Sequence, residues 1–192
     1  MMDNEMRERD YYLWERFKKG DKNALSLIYK SNYSFLYDYG YRILRNQDIV
    51  RECIQELFFN IITHVDSLST PRSIRAYLIA SLRRKLFNRV EYEHNYQFMD
   101  DDSGYSFELV TSHEDFIIDE EIDALKKSEL QININKLPAR EKEIIYLKYF
   151  KNMEYEEITK IMGIHYDSAR KLVSRAIKNL RDMFHIKVNV CN

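Results

Sequence analysis

Residues 153–183 read MEYEEITKIMGIHYDSARKLVSRAIKNLRDM, and no other stretch limits the possible folds so much. Tyr155, Ile158, Ile161 and Met162 fall on one side of a short helix, with Glu156, Glu157 and Lys160 on the other. Gly163 ends that helix, because the left-handed conformation that closes many helices is cheap only for glycine. Ile164 can plug the corner. A second helix from about Tyr166 carries Ala169, Leu172, Val173, Ala176, Ile177, Leu180 and Met183, spaced three and four apart as one buried stripe. The residues left outside are Asp167, Ser168, Arg170, Lys171, Ser174, Arg175, Lys178 and Arg181. Two helices around a glycine corner read as a helix-turn-helix, and its cationic face with small polar donors suits phosphates and base edges. An amphipathic helical hairpin with a solvated basic side is the other reading.

The rest of the chain is also patterned for helices. Leu13, Trp14 and Phe17 form a short apolar face that stops at Gly20. Asp21 is a good N-cap for a helix carrying Ala24, Leu25, Ile28 and Tyr29, with a second apolar set after it at Phe35, Leu36, Tyr39, Ile43 and Leu44. Asn46-Gln47-Asp48 can turn the chain and cap the next helix. Residues 49–63 turn Val50, Cys53, Ile54, Leu57 and Ile61 inward. Arg51, Glu52, Gln55, Glu56 and Asn60 stay outside, which periodicity alone reads as a solvated face. Residues 66–71 form a loop, and Ser73 caps a helix to about Val90 with Ile74, Leu78, Leu82 and Leu86 buried. Arg72, Arg75, Arg83, Arg84, Lys85 and Arg89 crowd onto this segment, interleaved with Tyr77, Phe87 and Tyr92. Cations beside aromatics suit a single-strand binding surface; a basic surface helix with core aromatics would look the same.

Charge divides the chain more sharply than hydropathy does. Residues 1–92 carry 16 Lys and Arg against 12 Asp and Glu, residues 93–130 carry 2 against 12, and residues 131–192 carry 12 against 7. Two mildly basic ends therefore flank an acidic middle, although the net charge is only −1. Asp100-Asp101-Asp102-Ser103-Gly104 reads as flexible linker. A helix is expected to resume near Asp119, with Ile122 and Leu125 inward. Pro138 suits the first turn of another, running to about Phe150 with Ile144, Ile145 and Tyr149 on one side. The expectation is an all-α protein: a helical domain at 1–92, an acidic flexible linker at 93–118, and a helix-turn-helix domain at 119–192.

Several function classes are excluded. No phosphate loop, H-E-x-x-H or G-x-S-x-G pattern occurs, and the five histidines are scattered. Cys53 and Cys191 form no C-x-x-C, so neither a zinc site nor a disulfide framework is implied, and a reducing cytoplasm fits. The start, MMDNEMRERD, is charged and is not a signal peptide. No run approaches the ~20 apolar residues of a membrane span. The reading is of a cytoplasmic protein that is not an enzyme, needs no cofactor or metal, and does not insert in a membrane.

Short motifs then line up along both halves. They are Gly20-Asp21, Ala24 and Ile28-Tyr29; Glu52-Cys53-Ile54-Gln55-Glu56-Leu57-Phe58; and Ser73-Ile74-Arg75-Ala76-Tyr77-Leu78. In the second half come Leu137-Pro138 with Arg140-Glu141, Glu157-Ile158, Met162-Gly163-Ile164 and Ser174-Arg175-Ala176. In order and spacing the chain resembles bacterial sigma factors of the extracytoplasmic-function type, the minimal two-domain class. The resemblance implies that Glu52, Gln55 and Glu56 contact the clamp helices of core RNA polymerase. It implies that the 66–71 loop and the helix after it hold the opened minus-ten strand, with a flipped base in the loop and contacts from Arg72, Ser73, Arg75, Tyr77, Arg83, Arg84 and Phe87. It implies that the helix from Tyr166 reads the minus-thirty-five element through Ser168, Arg170, Lys171, Ser174, Arg175 and Lys178. The acidic linker would thread through polymerase toward the RNA exit path, its charge imitating nucleic acid. Partners so implied are core polymerase and promoter DNA, and the class admits an anti-sigma factor. His165 stands where the family usually has a small capping residue, and Leu172 where it often has arginine. Two rivals remain on the residues alone: a helix-turn-helix regulator that binds duplex DNA without polymerase, and a helical adaptor that binds no DNA.

Overall fold

The computed structural model describes residues 2–94, 105–109 and 124–190. Eight α-helices are present among them: α1 (Met2–Lys18), α2 (Lys22–Leu44), α3 (Gln47–Thr63), α4 (Ile74–His94), α5 (Ala124–Asn135), α6 (Ala139–Ile145), α7 (Tyr155–Met162) and α8 (Tyr166–Val190). No strand occurs among the described residues. The chain divides into two compact units, Met1–Gln97 and Phe98–Asn192.

The first unit packs α2, α3 and α4 together, with α1 against them. Asp21 caps α2 by accepting from the Asn23 and Ala24 amides at 2.8 and 3.3 Å. Its other oxygen takes Arg16 Nη2 at 2.5 Å and Nε at 2.8 Å, which ties the end of α1 to the start of α2. Both apolar sets expected after Asp21 lie on one 23-residue helix. Ile28, Leu36, Tyr39 and Ile43 are buried along it, and Asn32 is buried among them with its amide donating to the Ile28 carbonyl at 2.8 Å. At Gly40 the helices nearly touch: a Cβ there would lie 2.8 Å from Val50 Cγ1 of α3. Asn46 caps α3 through its side-chain oxygen, as expected. The inward face of α3 is the expected one with Phe58 added. A short 3-10 turn (Val65–Ser67) opens the loop before α4. Ala76 and Ile79 are buried on α4 beside the expected row. They broaden the stripe beyond what its interleaved arginines suggest.

The second unit is the helix-turn-helix and its supports. α7 has the expected bounds. Glu157 accepts from the Glu154 amide at 3.1 Å, and Gly163 closes the helix at φ 65°, ψ 35°. Pro138 sits one residue before α6, at the N-cap. Two apolar expectations fail here. Tyr149 is 57% exposed, and the aromatic that enters the core is Tyr146. Residues Tyr146–Phe150 form a π-helical turn, marked by the Lys151 amide donating to the Tyr146 carbonyl at 3.0 Å. That wider turn delays the return to the inward face, so Phe150 rather than Tyr149 packs on the core. Ile177 lies on the margin of the α8 stripe and is exposed, while Ala169, Val173 and Ala176 are buried.

Of the acidic linker expected at 93–118, residues 105–109 are described, and so is the α4 backbone at 93 and 94; the others lie outside the described residues. Residues 105–109 form an extended strap on the second unit. Phe107 and Leu109 are buried completely or nearly so, as alternation along an extended chain allows. The Asn135 side-chain amide accepts from the Leu109 N–H and donates to its carbonyl, both at 3.0 Å. Gln131 donates to that same carbonyl at 3.2 Å, and the Tyr105 hydroxyl donates to Glu143. Asp119 and Ile122 lie outside the described residues, as does the side chain of Leu125.

Candidate nucleic-acid interface

Helix α8 presents the expected cationic face. His165 occupies the N-cap position, with its carbonyl accepting from the Ala169 amide at 2.9 Å. The helix therefore starts at Tyr166 without a small capping side chain. Ser168, Arg170, Lys171, Ser174, Arg175 and Lys178 are all exposed. Helical spacing sorts them into two lines. Ser168, Lys171, Arg175 and Lys178 run along one edge, while Arg170, Ser174 and Arg181 run along the next. Arg175 differs from the rest because its Nε donates to Glu141 Oε1 at 2.7 Å. Glu141 is 1% exposed, and Asn179 holds its other oxygen at 2.8 Å. Glu141 precedes Ile144 and Ile145 by three and four residues, so periodicity places it on the core face of α6. A carboxylate there needs a cationic partner, and that signal was available in the sequence.

In the first unit, Glu52, Gln55 and Glu56 are exposed on α3, opposite its buried row. Two of them are engaged by α4: Lys85 reaches Glu56 at 3.1 Å and Arg89 reaches Glu52 at 3.0 Å. These pairs are partly solvated and worth little to stability. They do hold α4 cations against the acidic face, which leaves Gln55 between two neutralised carboxylates.

The loop and the start of α4 bring Arg72, Ser73 and Arg75 together. Ser73 Oγ accepts from the Ala76 amide at 3.2 Å, as an N-cap should. Arg72 and Arg84 are exposed. Arg75 stacks over Phe35 at 5.1 Å, and Arg83 over Phe87 at 4.4 Å. Tyr77 is half-buried and packs edge-on against the fully buried Trp14 at 5.4 Å. Its ring is therefore partly core. Sequence reasoning missed two α1 carboxylates here. Asp10 accepts from the Ile74 amide at 2.8 Å, and Glu15 accepts from the Thr70 hydroxyl at 2.5 Å. Both partners are more than fifty residues away in sequence, so no periodicity encodes them.

Burial pushes the Cys53 thiol above its usual range, which makes it inert packing. No cluster among the described residues could hold a metal ion, and no described helix is long and apolar enough to cross a membrane.

The family model of sigma-70 region 2 matches residues 28–94, from within α2 to the end of α4. That of sigma-70 region 4 matches residues 133–180, from the end of α5 through most of α8. The chain belongs to the sigma-70 family. It is similar to two Bacillus subtilis (strain 168) proteins. To the RNA polymerase sigma factor SigV it is 24% identical over 145 residues, covering 76% of this chain and 81% of that one. To the ECF RNA polymerase sigma factor SigW it is 25% identical over 173 residues, covering 87% and 92%. Its fold is shared with CnrH, solved with the cytosolic domain of CnrY, at TM-score 0.58 and 17% identity, over 92% of this chain and 97% of that one. It is also shared with the sigma factor RpoE, solved with the anti-sigma factor NepR from Bartonella quintana, at TM-score 0.53 and 18% identity, over 88% and 98%. This sigma factor is of the extracytoplasmic-function class and directs transcription initiation. Sigma factors are in general initiation factors rather than enzymes. The presence of both regions separates it from a regulator that carries only a helix-turn-helix.

Proposed function

We propose that the two units divide promoter recognition between them while α3 holds core RNA polymerase. The exposed Glu52, Gln55 and Glu56 face would meet the clamp helices. The loop before α4, with Arg72, Ser73 and Arg75 and the more distal Arg83, Arg84 and Phe87, would hold the opened minus-ten strand. Tyr77, half-buried against Trp14, would support that surface more than stack on a base. Helix α8 would enter the major groove at the minus-thirty-five element, with Ser168, Arg170, Lys171, Ser174 and Lys178 reaching DNA. Arg175, bound to Glu141, would pin the helix at the edge of that contact. The observation that carries this reading is the pairing of an exposed, cationic α8 with a separate basic, aromatic α4 in the order of regions 2 and 4.

In this reading the chain has no catalytic activity of its own and works in the cytoplasm. It needs no cofactor or metal and does not insert in a membrane. The two similar structures were solved with CnrY and with an anti-sigma factor, which supports an anti-sigma partner here as well. The test is permanganate probing of promoter thymines with core polymerase, with and without this chain. Reactive minus-ten thymines only when both are present support the reading. Duplex protection by the chain alone, with no reactive thymines, favours the regulator.

A further inference from the structure

The loop between α3 and α4 reads bases only if its shape is held, because a loop that must order on binding spends binding energy that could discriminate. Residues 68–73 make no regular structure, so their shape comes from elsewhere. Helix α1 supplies it at two points. Glu15 accepts from the Thr70 hydroxyl in the middle of the loop at 2.5 Å. Asp10 accepts from the amide of Ile74, the first residue of α4, at 2.8 Å. Asp10 is thus a remote cap, its negative charge at the positive end of α4. Between them Trp14 is fully buried and packs on Tyr77, one turn into α4. Both carboxylates are partly buried, and each accepts a hydrogen bond from the loop or from the start of α4.

We propose that α1 is a brace that sets base preference at the minus-ten element, with Asp10 and Glu15 as positioning residues and Thr70 as the loop's anchor. The proposal rests on the reading of this loop as the minus-ten surface. Residues 10 and 15 lie outside the stretch that matches region 2, which begins at residue 28.

The experiment is transcription by the full chain with core polymerase from two promoter libraries, one varied at minus ten and one at minus thirty-five. Thr70→Val and Glu15→Ala remove the same bond from opposite sides. Each should lower the ratio between best and worst minus-ten base by about two- to tenfold, the worth of an ordinary hydrogen bond. Combined, they should do no more than either alone. Glu15→Gln keeps a carbonyl that can accept from Thr70 and should restore the preference. Minus-thirty-five preference and core affinity should not move, and the transition of Trp14 fluorescence should fall by no more than the lost hydrogen bond accounts for. Unchanged minus-ten preference in both single variants overturns the proposal, as does an equal loss at minus thirty-five. A loop control, Leu68-Ser69-Thr70 replaced by three glycines, identifies which step fails. If it alters minus-ten preference while Glu15→Ala does not, the brace alone is wrong. If it is silent, the minus-ten reading falls and the proposal with it.

Discussion

Replacing Phe107 with alanine should release the 105–109 strap from the helix-turn-helix unit. Phe107 is fully buried and Leu109 nearly so, and burying two such side chains contributes about 3–6 kcal/mol. The three hydrogen bonds that Asn135 and Gln131 make to Leu109 add about 0.5–1.5 kcal/mol each. Against this, ordering five residues costs about 1–2 kcal/mol per residue. Gain and cost therefore nearly cancel, and the strap is held by a few kcal/mol at most. Losing the phenyl ring removes about 3–5 kcal/mol, which exceeds that margin. The Leu109 amide now donates to Asn135 at 3.0 Å, so hydrogen exchange at this amide reads docking directly. In Phe107→Ala it should exchange at least about tenfold faster. Trp14 is the only tryptophan in the chain and lies in the other unit, so its fluorescence transition is a control and should stay in place. An unchanged exchange rate at Leu109 refutes the reasoning, and so does an equal fall in the Trp14 transition.

Gly40→Ala should push α2 from α3, because its Cβ would meet Val50 Cγ1 at 2.8 Å. The overpacking costs about 1–3 kcal/mol, and denaturation monitored by Trp14 fluorescence measures it. Arg175→Ala leaves the buried Glu141 carboxylate with Asn179 as its remaining partner. Since Arg175 is itself half-exposed, the expected loss is about 1–3 kcal/mol, seen by circular dichroism, with transcription falling alike on all promoters. Arg170→Ala or Lys171→Ala should instead leave stability within about 0.5 kcal/mol and lower preference among minus-thirty-five variants at one or two positions, where a bidentate base contact discriminates by about 1–3 kcal/mol. Gln55→Ala with Glu56→Arg should weaken capture of core polymerase in a pull-down while the Trp14 transition shifts by less than about 1 kcal/mol, since the broken Lys85 pair is a surface one.

Local patterns are legible wherever one helix face decides its own neighbours. The corner at Gly163, the caps at Asp21 and Asn46, and the buried row of α3 all come from spacing and from residues that act within four positions of themselves. Tyr149 and Tyr146 exchange places because a π-helical turn breaks the 3.6-residue period, and nothing in the residue types announces such a turn. The acidic middle reads as unpacked because composition averages over it. Yet Tyr105, Phe107 and Leu109 alternate within it, and their partners Asn135, Gln131 and Glu143 lie more than twenty residues on. Arg175 reads as one more cation of the α8 face until Glu141 is placed beneath it. Asp10 reads only as part of a charged start and Glu15 carries no reading at all, because their partners come after two intervening helices.

The central claim is that this chain gives core RNA polymerase a promoter. The most direct measurement is run-off transcription with core polymerase from the same organism and its fragmented genomic DNA, with and without the chain. Discrete transcripts are expected only when the chain is present. Their start sites should share one minus-ten and one minus-thirty-five sequence at a fixed spacing, and their yield should fall with the Gln55→Ala, Glu56→Arg double variant. Transcripts identical with and without the chain, or start sites sharing neither element, would contradict it.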